Sequence, residues 1–139
     1  MRSFFSPEPM QMHKALAVTR IIVGLLLMFH GWELFNPEIM NGYQEWDVFK
    51  GGAGAILVYA GKSSELISGT LLVLGLFTRV GALLTIGTFS TITFWVGQGR
   101  FWYDDQHPFM FALLGLLFFF TGPCAWSLDG KLFGHNNNH

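Results

Sequence analysis

The side chains best suited to moving protons or holding a polar ligand sit where polarity is least expected. His30 and Glu33 close the apolar run IIVGLLLM within the stretch FHGWEL, three residues apart. Glu65 lies in a second apolar stretch, three residues after Lys62, and His107 precedes Pro108 at the start of a further one. Imidazoles and environmentally tuned carboxylates are the groups that exchange protons near neutral pH. Inside a membrane span an ionised side chain costs several kcal/mol unless it is paired, so each of these residues is a functional candidate by default.

Depth groups them. At about 1.5 Å per residue, His30 stands roughly 22 Å up its helix from Ala15, and Glu65 stands roughly 18 Å up the next, counted back from Phe77. Lys62 and Glu33 fall slightly higher, and His107 enters from the same side. A polar layer near one end of a helical bundle is expected, with Glu33 itself in the headgroup zone. Glu65 falls within about 60° of Gly61, Ser68 and Gly75 on a helical wheel, so it faces the packing side. A buried carboxylate must be protonated or paired, and Lys62 and His30 are its available partners. Glu65 therefore reads as a functional acid or as one half of a bridge that fixes helix register. His30 reads as a proton relay, a donor to a quinone carbonyl, a metal ligand, or a core histidine bonded to Glu65. Paired haem ligation by His30 and His107 fits poorly, because His107 stands at the very start of its helix. No tight His/Cys/Asp/Glu spacing supports a metal site.

At the other end Arg20, Arg79 and Asp129 are expected to converge. Arg79 begins a helix, where a cation opposes the dipole. Pairing with Asp129, anionic lipid headgroups or topology control would each favour it there.

The elements that position these groups follow from composition. The chain of 139 residues is 51% hydrophobic and 17% aromatic but only 12% charged, which points to lipid as the solvent for much of its surface. A net charge of −1 without a basic stripe argues against nucleic acid. One cysteine, Cys124, rules out an internal disulfide framework or a CxxC redox pair. Four helices are expected, over about 14–35, 62–77, 80–97 and 109–122, the second extending back to about 53 if Gly61 does not break it. A short interfacial helix is expected within 46–60, an exposed arm over 1–13 and an exposed tail over 134–139. The first apolar run lacks a small-residue cleavage site and reads as a retained helix. All spans must be helical, because lipid leaves open backbone unsatisfied. The architecture expected is an all-α, single-domain, up-down-up-down four-helix membrane bundle. Arg2, Lys14, Arg20, Arg79 and Lys131 outnumber Lys50 and Arg100 across the layers, which predicts both termini on the cytoplasmic side. Small residues recur seven apart at Gly24/Gly31, Gly61/Ser68/Gly75 and Gly115/Gly122, on faces where helices can approach closely.

Three segments, RIIVGLLLMFHGWEL, ELISGTLLVLGLFTR and GPCAWSLDGKL, resemble the DoxX family of small four-helix membrane proteins, over roughly residues 15–132. The family's His-Gly falls on His30-Gly31, and the glutamate opening its E-x-x-G-G-x-L on Glu65, with Ser68 in place of the first glycine. Its G-L-x-T-R turn is Gly75 to Arg79, and its S-L-D is Ser127-Leu128-Asp129. Relatives usually carry a lysine four residues after the histidine, where this chain has Leu34; Lys62 is the compensating cation on this reading. The resemblance implies a bacterial inner-membrane protein linked to quinone-dependent oxidoreductases. It has no flavin, haem or iron–sulfur motif of its own, so a partner redox protein would carry the electrons. The expected function is an accessory subunit whose His30, Glu65 and Lys62 bind a quinone head or pass it protons. The rival from another class is a non-catalytic scaffold whose charges hold the bundle and dock a partner. A third reading, a small-solute transporter module, requires homo-oligomers to make a pathway.

Overall fold

In the computed structural model, which describes Ser6 and residues 9–134, the described residues form helices joined by turns, with no strand among them. Helix α1 spans Met12–Gly31 and tightens into a 3-10 turn at Trp32–Phe35. Asn36-Pro37, expected to end the first helix, also starts another. The Asn36 side chain accepts hydrogen bonds from the amides of Glu38 and Ile39, and Pro37 takes the first turn of α2, Pro37–Gln44. The interfacial helix expected within 46–60 is instead a single 3-10 turn at Asp47–Phe49 and the start of α3, Gly54–Leu74. Gly61 does not break α3, so the helix takes the longer of the two extents open from the sequence and begins at Gly54.

Gly75, at φ 63°, ends α3, and its amide and that of Leu76 return to the carbonyls of Leu72 and Leu71. Helix α4, Thr78–Thr91, then runs into a π-helical stretch at Ile92–Val96. Helix α5 is Gln106–Thr121, beginning before the expected 109, and a short α6, Leu128–Leu132, closes the described chain. The arm over 1–13 and the tail over 134–139 fall largely outside the described residues.

Among the described residues three helical segments are long and apolar enough to cross a membrane, Met12–Phe35, Gly54–Leu74 and Thr78–Val96; α5 is apolar but shorter. The outer faces of these helices and of α5 carry large apolar groups such as Phe29, Ile56 and Phe120 in exposed positions, as suits helices that contact lipid. Contacts pair α1 with α3, α3 with α4 and α4 with α5, each antiparallel. Arg20 near the start of α1 meets Leu72 near the end of α3, while His30 meets Lys62. The core between them is built from Val23, Leu27, Leu72, Ala82, Phe89, Phe111, Ala112 and Phe118, with Phe89 and Phe111 stacked at 4.9 Å.

Glycines set the approach of α1 and α3. A Cβ at Gly31 would lie 2.5 Å from the Leu66 amide nitrogen, and one at Gly69 would lie 2.7 Å from the Gly24 carbonyl oxygen. The partner of Gly24 on α3 is thus Gly69, and of the row Gly61/Ser68/Gly75 expected to pack, Gly61 stands open: a Cβ there meets nothing within 4 Å.

Gly31→Val should therefore force α1 and α3 apart and destabilise the protein by about 1–3 kcal/mol or more. Gly61→Ala should be neutral or stabilising by about 0.5–1 kcal/mol, because a helical glycine gives way to alanine in open space. Thermal unfolding of both variants in the same detergent checks the contrast.

Candidate functional site

Five helical or turn segments deliver polar groups to one end of the molecule. His30 comes from the last turn of α1, Glu33 from the 3-10 turn after it, and Tyr43 from α2. Lys62 and Glu65 stand one turn apart on α3, and His107 stands in the first turn of α5. The close seating of Gly31 on Leu66 fixes the α1 group level with the α3 group.

Lys62 is the hub. Its ammonium lies 2.9 Å from Glu33 Oε2 and 3.2 Å from Glu65 Oε2, and it donates at 3.5 Å to the His30 carbonyl. The ammonium also sits 4.8 Å from the centre of the Tyr43 ring. Tyr43 donates its hydroxyl to Glu33 Oε2 at 2.8 Å; burial, and then this bond, push its phenol above the ordinary range. Glu65 is only 5% exposed, so its charge is tolerated through the lysine. Of the two partners open to Glu65 from the sequence, the structure selects Lys62; among the described residues no hydrogen bond joins it to His30.

Tyr43 is the member that sequence reasoning missed. Glu33, expected in the polar layer at headgroup depth, bonds to Lys62 and Tyr43. Tyr43 is positioned by a helix whose only strong signal was the Asn36-Pro37 cap.

His30 and His107 approach edge to face with ring centres 6.4 Å apart, and His107 packs on Phe111 at 5.2 Å. Among the described residues no group of three or more His, Cys, Asp or Glu side chains is arranged to hold a metal ion.

These groups border a cavity of about 610 Å³. Its polar wall holds His30, Tyr43, Lys62, Glu65 and His107, and its aromatic wall holds Trp46, Phe49, Phe89, Trp95 and Phe111. The π-helical turn supplies Ile92, Trp95 and Val96 to the same wall, with the Gly97 amide reaching back to the Ile92 carbonyl at 2.7 Å. Such turns are rare and recur at functional sites. A flat ring with polar edges suits these walls: π-faces stack it, and donors on one side take up its oxygens.

The opposite end is structural. Arg20 is 1% exposed and donates to the carbonyls of Leu72, Pro123, Ala125 and Trp126. Asp129 does not pair with Arg79, one of the three alternatives open from the sequence; it caps α4 by accepting from the amides of Phe77 and Thr78 at 2.6 and 2.8 Å. Arg79 instead donates to the Phe119 carbonyl at 3.2 Å. Ser127 caps α6 by accepting from Gly130, and its Cβ packs against Gly75 so closely that a side chain there would clash.

The DoxX family model matches residues 15–98, which include His30, Glu33, Tyr43, Lys62 and Glu65. An uncharacterized protein of Haemophilus influenzae is 31% identical over 127 residues, covering 85% of this chain and 90% of that protein. No solved structure matches.

Lys62→Met should leave Glu65 buried without a counter-charge and destabilise the protein by about 3–5 kcal/mol. Adding Glu65→Gln should recover part of that loss, since the buried side chain is then neutral while Glu33 keeps its bond from Tyr43. The double-mutant cycle, read as unfolding midpoints in detergent, reports the coupling.

Proposed function

The chain belongs to the DoxX family of membrane proteins, and from that membership we propose that it is an accessory subunit of a quinone-linked oxidoreductase in a bacterial inner membrane. The observation that carries this reading is the union, in one cavity, of aromatic walls with a buried carboxylate and two imidazoles. A quinone exchanges two electrons and two protons with its quinol. In this proposal a partner redox protein carries the electrons and this chain supplies the polar layer for the protons. His30 donates to a quinone carbonyl oxygen, Glu65 exchanges the proton, and Lys62 holds both carboxylates in place. Its architecture in this reading is a single up-down-up-down four-helix bundle with both termini cytoplasmic. The five cations expected on that side, from Arg2 to Lys131, support this orientation.

A second reading has one specific observation in its favour. Lys62 is bonded to carboxylates on two elements, and such a bridge suffices to hold α3 against the turn after α1. On that reading the protein is a scaffold that docks its partner without touching the chemistry.

Glu65→Gln separates the two readings. A quinone-site role predicts a loss of about tenfold in quinone-dependent turnover per assembled complex, the worth of one charge-assisted hydrogen bond. Membrane insertion should stay intact. Normal turnover per complex with less complex recovered would favour the scaffold and defeat the first reading. Fusing green fluorescent protein or alkaline phosphatase to the C-terminus tests orientation: the first should fluoresce and the second stay inactive.

A further inference from the structure

One side of the cavity has a different character. Beside the polar layer it is lined by small side chains of α3 and α4, with Ala60, Gly61 and Ser64 from one helix and Gly87, Thr88 and Thr91 from the other. Ser64 and Thr88 join across it through their hydroxyls at 2.7 Å. On the packed faces of the long helices, Gly24, Gly31, Gly69 and Gly115 mark places that a neighbouring helix fills. Gly61 and Gly87 differ: a Cβ built on either meets nothing within 4 Å. The space they leave is therefore not needed for packing α3 on α4. Leu57 and Leu83, which border it, are 41% and 53% exposed and lie on membrane-length helices, so this side opens toward acyl chains.

We propose that this groove seats the apolar tail of a lipid-borne ring ligand whose head occupies the polar layer. The inference rests on the quinone reading and adds the seat of the tail. The continuity of the cavity carries it. One partly open cavity is lined both by His30, Glu65 and His107 and by the small-residue slot around Gly61 and Gly87, which suits an occupant with a polar head and an apolar tail. A water-borne ring would need no such slot. A tail in the slot also tethers the head at the polar layer, which raises its local concentration there without any new polar contact.

The open glycines make the test direct, because filling the slot leaves native packing alone. The double variant Gly61→Leu/Gly87→Leu is compared with the wild-type protein in lipid nanodiscs. Binding of decylubiquinone and of its tail-less parent ubiquinone-0 is followed by quenching of tryptophan fluorescence, since Trp46 and Trp95 line the cavity. The variant should keep its unfolding midpoint, bind the tail-less quinone as the wild type does, and bind the tailed one about tenfold more weakly, as expected for a ligand forced against added side chains. If the double variant does not fold, the single changes Gly61→Leu and Gly87→Leu carry the comparison. Equal binding of the tailed quinone by variant and wild type overturns the tail seat. So does an equal loss for both quinones, which would mean that the added side chains block the head. Binding of neither quinone by the wild-type protein overturns the quinone reading and the tail seat together.

Discussion

A buried lysine shared by two carboxylates is the constraint from which the functional end of this protein follows. Lys62 cannot reach Glu33 and Glu65 together unless the turn after α1 lies level with the middle of α3. Glu65, the buried one of the two, depends on it for a counter-charge, since removing one charge of a buried pair leaves its partner uncompensated. The contact is available because Gly31 lets the α1 backbone come up against Leu66. Steric permission and electrostatic demand thus act at the same level, and α2 adds Tyr43 as a lid over the ion pairs.

The other end solves a different problem. Helix ends leave backbone carbonyls and amides without intrahelical partners, and a low-dielectric setting makes each costly. Arg20 collects carbonyls from the end of α3 and from the segment after α5, while Asp129 covers the first amides of α4. One cation and one anion thereby tie three chain segments without bonding to each other. A guanidinium suits this role because its donors fan out in a plane and it stays charged under all conditions. The polar investment of this end goes into closure, and that of the far end borders a cavity.

Between these ends, glycine serves two opposite purposes. On the α1/α3 face it is filled by the neighbouring helix, which holds the bundle tight. On the α3/α4 face it leaves a slot that continues the cavity toward lipid. The π-helical turn at Ile92–Val96 belongs with the second purpose, since it turns Trp95 to the cavity wall beside Phe49.

Much of this was legible in the amino-acid order. Low charge, long apolar runs and the punctuation at Gly75 and Pro108 determine an all-helical chain with membrane-length segments, because lipid admits few alternatives for an apolar backbone. Counting residues at a fixed helical rise also brings His30, Lys62 and Glu65 to one level, since rise per residue is a local property. What the order of residues could not decide was azimuth and partnership. Whether Glu65 turns to Lys62 or His30, whether Asp129 pairs a cation or caps a helix, and which glycines are filled all depend on how far each helix rotates against its neighbour. That rotation is set by packing summed over the whole interface, as at Gly24, Gly31 and Gly69 together. Only the tertiary structure holds that sum, and so only there does Glu33 turn inward and Gly61 stand open.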